Sequence, residues 1–161
     1  MNPPFDTRAD AKRDGDPSVI VHAEALAKGH AEGPKVVLSE PLSFWGGYDA
    51  ASGLILEKTH PAFGRSLAGT IVVMPRAKGS SSSSSVLAEA IRNGTGPAGI
   101  VLRERDLIIA IGVIVAGELY GLSVPLVVVK DRDFDTVCHR GATIRIDAPH
   151  EQGPATVTLT T

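Results

Sequence analysis

Gly69-Thr70-Ile71-Val72-Val73-Met74-Pro75 leads through Arg76-Ala77-Lys78-Gly79 into six serines, Ser80 to Ser85, and on to Val86-Leu87-Ala88-Glu89-Ala90-Ile91-Arg92-Asn93-Gly94. The first segment is a short β-branched run closed by proline, the pattern of a buried strand. Beyond the serines, Val86, Leu87, Ala90 and Ile91 share one face at helical spacing, and Asn93-Gly94 supplies a stop. Ala98-Gly99-Ile100-Val101-Leu102 then reads as a second strand. Strand, polar corner, helix and strand make the β-α-β unit of a mixed α/β fold.

Reading outward, Leu107, Ile108, Ile111, Val115 and Leu119 recur at helical spacing and predict a second helix, a core element, ended by Gly121 and Pro125. A strand follows over residues 126–129, and Asp133 to Cys138 adds a helical turn. Residues 142–146 and 155–159 alternate apolar and polar and form a terminal hairpin. Towards the N-terminus, residues 18–23 and 35–38 read as two neighbouring strands separated by the turn-rich Lys28-Gly29-His30-Ala31-Glu32-Gly33-Pro34. Pro41 opens an irregular stretch, Asp49-Ala50-Ala51-Ser52-Gly53 makes an Asx-type turn, and residues 54–57 read as a strand. The expected architecture is a mixed sheet with two or three helices. Residues 1–17, rich in Pro, Asp, Arg and Lys, read as a disordered leader, and residues 18–161 as one domain.

Composition narrows the function. The 161 residues suffice for one domain with a real core, and 43% hydrophobic with 21% charged residues is the balance of a soluble globular chain. A net charge of -2 argues against nucleic acid or an acidic membrane surface as the main partner. The apolar run from Leu107 to Gly117 falls well below the ~20 residues of a membrane span. Cys138 is the only cysteine, so no internal disulfide forms, and a cytoplasmic address is expected. One thiol cannot hold an iron–sulfur cluster, which needs about three or four protein ligands. If such a cluster is involved, another chain holds it.

Six serines in isolation read as a flexible linker. Between a buried strand and an amphipathic helix they read differently. Unpaired backbone N–H groups and the positive end of the helix dipole converge there, which makes the corner an anion site. It could bind a carboxylate or phosphate, or it could activate one hydroxyl, since an alkoxide facing several N–H donors in a water-poor pocket is strongly favoured. Ser80, directly after Gly79, is best placed for that, with Ser81 as second participant and the remaining serines as helix cap and oxyanion donors. Neither a Gly-x-Ser-x-Gly elbow nor a Ser-x-x-Lys helix appears. Lys78-Gly79-Ser80 reverses the order of a P-loop.

Phe44, Trp45 and Tyr48 cluster around Gly46-Gly47. This loop is either a small satellite core or a pocket wall where glycine backbone admits a substrate, with Ser43 and Asp49 as its polar contacts. His22-Ala23-Glu24 and His30-Ala31-Glu32 each match half of a zinc deaminase signature but lack its cysteine pair, and read as strand-surface residues. His60, before Pro61, reads as a structural hydrogen-bonding group ahead of a proton-transfer one. Arg65, Arg76 and Lys78 flank the two loops and could hold an anionic substrate or a partner's carboxylate.

The order Ser43-Phe44-Trp45-Gly46-Gly47-x-Asp49, Gly53, His60-Pro61, Gly69, Lys78-Gly79-Ser80, Pro97-Ala98 and Gly112 resembles the aconitase X swivel domain. The resemblance covers roughly residues 20–159, and its most specific parts are the Ser-Phe-Trp-Gly-Gly loop and the Gly-Ser corner. It implies a swivelling β/β/α fold in which Ser80, by position, abstracts the substrate proton. It also implies a large subunit carrying the iron–sulfur cluster and most substrate contacts, with no cofactor held by this chain alone. The reaction implied is dehydration of a small hydroxy-carboxylate: cis-3-hydroxy-L-proline is expected, and phosphomevalonate is the alternative. Ala50-Ala51 and Arg76-Ala77 depart from the family pattern, the second just before the corner. A reading of a different class is a non-catalytic module that uses the corner to hold an anion.

Overall fold

The computed structural model describes residues 17–161, so the leader expected over residues 1–17 lies outside the described residues except for Pro17. The described residues form seven strands: β1 (Val19–Ala27), β2 (Gly29–Val37), β3 (Ile71–Met74), β4 (Gly99–Leu102), β5 (Leu126–Val128), β6 (Thr143–Ala148) and β7 (Gly153–Thr160). Four helical segments join them: α1 (Phe44–Gly47), α2 (Ser83–Asn93), α3 (Leu107–Tyr120) and α4 (Asp131–His139). α1 is a single irregular turn, because Trp45 and Gly46 have non-helical backbone angles.

The strands close into a barrel in the order β1-β5-β4-β3-β2-β6-β7. β2 to β5 are mutually parallel where they meet, while β1, β6 and β7 pair antiparallel. Every residue of β3 and β4 is buried, as the unbroken apolar runs require, because each strand has a covered surface on both faces. Ile71, Val73, Val101 and Val127 point into the barrel with Ile144, Ile146 and Val157. Val72, Met74, Ile100, Leu102 and Leu126 point outward and are covered by Leu87 and Ile91 of α2 and Ile109, Val113 and Ala116 of α3. α4 adds Phe134 and Val137 to the barrel cluster.

The β3-α2-β4 unit and the terminal hairpin form as the sequence pattern expects, with α2 stopped by Gly94 in the left-handed conformation. Four expectations are corrected. The first two strands are not neighbours: β1 lies between β5 and β7, and β2 between β3 and β6. The segment 29–34 is strand rather than turn. Its Gly33 is there for close packing, since a Cβ would stand 2.8 Å from the Gly69 carbonyl oxygen. Residues 54–57 form no strand, only isolated bridges from Leu54 to Ser66 and from Ile55 to Tyr48. The second helix exists, but its faces are reversed. Ile109, Ala110, Gly112, Val113 and Ala116 are buried, whereas Leu107, Ile111 and Leu119 are 68%, 53% and 68% exposed. A helix apolar all round offers no periodicity that distinguishes inside from outside, and the smaller residues allow the closer approach.

Candidate active site

The serine corner stands where β3 hands over to α2. Gly79 turns the chain with φ +97, and a Cβ on it would lie 2.3 Å from the Ser43 Oγ. Glycine is therefore required twice, by backbone angle and by space. Ser80 follows, exposed, and its Oγ accepts a hydrogen bond from the Ser82 N–H at 3.1 Å. Ser82, the residue at the formal start of α2, makes no side-chain cap bond. Ser80 thus does the capping expected of the later serines, and the first turn tightens through Ser83 N–H to Ser80 O at 3.0 Å and Ser84 N–H to Ser81 O at 3.3 Å. An N–H aimed at Oγ and the positive end of an eleven-residue helix both favour negative charge on that oxygen. Ser81 is exposed beside it, and its carbonyl accepts from the Ser84 hydroxyl at 2.9 Å.

The aromatic-glycine loop is laced to this corner by Ser43, Trp45 and Gly47. Ser43 Oγ donates to the Trp45 carbonyl at 2.8 Å, and the Trp45 N–H donates to the buried Ser83 Oγ at 3.2 Å. Glu57 packs its side chain on Gly47, with 3.5 Å from its Oε2 to the position of a Cβ there, and its Oε1 accepts from Lys78 Nζ at 2.7 Å. Its Oε2 is buried with no hydrogen-bond partner among the described residues. Glu57 and Ser83 are the two residues that sequence reasoning passes over. The first belonged to an expected strand; the second was one of six identical letters, and only its burial against Trp45 sets it apart.

Other candidates lie elsewhere. Phe44 and Tyr48 are buried edge to face, ring centroids 5.2 Å apart, as a satellite of the helix-side core. Tyr48 donates to the Thr95 carbonyl at 2.6 Å, and burial, with Asp49 nearby, raises its pKa so that the hydroxyl stays protonated. Thr95 follows the end of α2, so the Tyr48 hydroxyl is directed to the end of that helix opposite the serines. Asp49 spends its carboxylate on its own turn, accepting from the Ser52 hydroxyl and the Ala51 N–H, which hold it below the usual carboxylate range. His60 is buried; its Nδ1 accepts from the Ala62 N–H at 3.0 Å, which leaves Nε2–H to donate to the Glu40 carbonyl at 3.1 Å. That is the structural role. Gly46 is open, with nothing within 4 Å of a Cβ. The geometry therefore gathers Ser43, Trp45, Gly47, Lys78, Gly79, Ser80 and Ser81 and leaves Asp49 and His60 apart.

Among the described residues no three His, Cys, Asp or Glu side chains group to hold a metal, and the one thiol, Cys138, lies partly buried on α4. The donor set does not fit an iron–sulfur cluster. No helix of the described residues is long and apolar enough to cross a membrane.

The family model for the aconitase X swivel domain matches residues 20–154. The chain is 42% identical over 116 residues to the cis-3-hydroxy-L-proline dehydratase of Pseudomonas aeruginosa, covering 72% of this chain and 20% of that protein. It is 34% identical to the phosphomevalonate dehydratase small subunit of Methanothermobacter thermautotrophicus, covering 80% of this chain and 93% of that one. It thus spans about one fifth of the first kind of relative and nearly all of the second. Among solved structures, Thermococcus kodakaraensis aconitase X in its holo-form superposes with TM-score 0.69 at 30% identity, covering 88% of this chain and 98% of that chain.

Proposed function

The chain belongs to the aconitase X swivel domain family, and we propose that it is the small component of a hydro-lyase, completed by a larger aconitase X chain. Ser80 Oγ takes the proton from the carbon beside the substrate's carboxylate. The electron pair left behind forms the double bond as the neighbouring hydroxyl leaves. This chain's share is the proton step and the shape of the wall around it. The iron–sulfur cluster belongs to the larger chain, and the substrate enters between the two in the cytoplasm. The observation that carries the reading is the hydrogen bond from the Ser82 N–H to Ser80 Oγ at a glycine corner built against Ser43. Ser81, Ser43 and the Trp45-Gly46-Gly47 backbone line the approach, and Lys78 lies beside it in its pair with Glu57.

Cis-3-hydroxy-L-proline is the substrate proposed, supported by relatives of that name at 42% and 38% identity. Phosphomevalonate is the second reading, favoured by the match along 93% of a stand-alone small subunit. The two-chain complex assayed on both compounds decides between them: turnover of phosphomevalonate alone overturns the first. Ser80→Ala is expected to lower the rate by ~10²–10⁴, the usual worth of a positioned proton-transfer group. An unchanged rate in the intact complex would remove Ser80 from the chemistry and leave the anion-holding module.

A further inference from the structure

The outward face of α3 carries Leu107, Ile111 and Leu119, all more than half exposed, with half-buried Val115 completing the stripe at intervals of four and Leu122 extending it beyond the helix. An apolar stripe of this length on a domain surface marks a contact rather than chance exposure. Its position says which contact. β3, β4 and β5 are parallel and α2 packs on α3, so the two crossover helices run side by side in the same direction. A Cβ on Gly112 would lie 3.0 Å from the Ser84 carbonyl oxygen, so Leu107 and Ile111, a residue to little more than a turn before Gly112, stand level with the serine run. On the other flank of that run stands Trp45, 58% exposed, its backbone tied to Ser83. A polar, reactive centre is thus bordered on two sides by large apolar groups, the arrangement of a protein interface with its anchors.

The geometry points to α3, from Leu107 through Leu119, as the surface on which the larger aconitase X chain docks, an inference that rests on the function proposed above. The domain makes up a fifth of one kind of relative and is a separate chain in another. Where no peptide bond holds it, the surface must. A base that works in a water-poor pocket needs a cover, and Gly79, Ser80 and Ser81 are all exposed in this chain.

The test uses the full chain and the large aconitase X chain produced with it, with binding measured by calorimetry and folding by circular dichroism. Leu107→Arg with Ile111→Arg is expected to keep the parent melting curve and weaken binding at least tenfold, while Ser80→Ala keeps binding and loses the rate. Undiminished binding of the double arginine variant overturns the inference. So does a homodimer of the free chain that the arginines dissociate without affecting the large chain. A third overturning result is removal of residues 1–16 that newly exposes α3 to amide exchange while binding persists through other surfaces. Failure of the catalytic reading shows separately, as a full rate in Ser80→Ala with the docking result intact.

Discussion

Replacing Gly79 by alanine asks whether the corner is built as described. At φ +97 a residue with a Cβ costs ~1–2 kcal/mol of backbone strain relative to glycine. The new methyl would also stand 2.3 Å from Ser43 Oγ and 3.1 Å from its Cβ, so Ser43 must rotate away. That breaks its 2.8 Å bond to the Trp45 carbonyl, worth about 0.5–1.5 kcal/mol net. The sum is about 2–3 kcal/mol, which for a domain of this size lowers the thermal midpoint by roughly 5–10 °C. Circular dichroism melts of the parent, Gly79→Ala, Ser43→Ala and the pair form a double-mutant cycle. Because Ser43→Ala removes the clashing oxygen and the bond in advance, the pair should lose about 1 kcal/mol less than the sum of the singles. A parent-like midpoint for Gly79→Ala, or strict additivity in the cycle, would refute the account of the corner.

Lys35 Nζ donates to the carbonyls of Val137, Cys138 and Arg140 at 2.8–3.0 Å and so closes the C-terminal end of α4. Lys35→Met should cost ~1–2 kcal/mol, discounted because the ammonium is partly solvated, and hydrogen exchange should accelerate in residues 136–140 first. Asp147 is held below its ordinary value of 3.8 by hydrogen bonds from Arg145 and His30. The unfolded chain therefore binds more protons in acid, so this stabilisation is complete above about pH 4 and fades as pH falls through the depressed value. Asp147→Asn should flatten the acid limb of a urea-midpoint-against-pH curve; an unchanged limb would contradict it. Glu57→Gln should shift stability by less than about 1 kcal/mol, since its pair with Lys78 is partly exposed. It should nevertheless lower turnover of the two-chain complex severalfold by loosening the Gly47 wall, and a rate equal to the parent would exclude that role.

The corner was legible because several local signals agree there: an unbroken apolar strand, a proline stop, a glycine before the serines and an amphipathic helix with a glycine end. Where signals are local and consistent, sequence suffices. β2 escapes a local reading because Gly29, Gly33 and Pro34 look like turn residues, while the demand for Gly33 comes from Gly69, far along the chain. Barrel closure rests on β1 meeting both β5 and β7, contacts that no periodicity encodes. The reversal of α3 has the same root: its buried face is chosen by the small residues Gly112 and Ala116 against neighbours that a window on the sequence does not contain. At the candidate site, position in the chain is enough to single out Ser80 and Gly79, whereas the grip of Glu57 on Lys78 and Gly47 depends on a loop folded back through isolated bridges.

In the closed barrel every strand has a hydrogen-bonded neighbour on each side. Among the described residues no strand is left as an edge along its whole length, which disfavours the joining of another chain by β-augmentation. Association is left to side chains, which tolerate remodelling one residue at a time. A lineage could therefore retune, sever or fuse the link to a larger chain without opening an aggregation-prone edge, and this domain could pass between the covalent and separate states seen in its relatives with its backbone undisturbed.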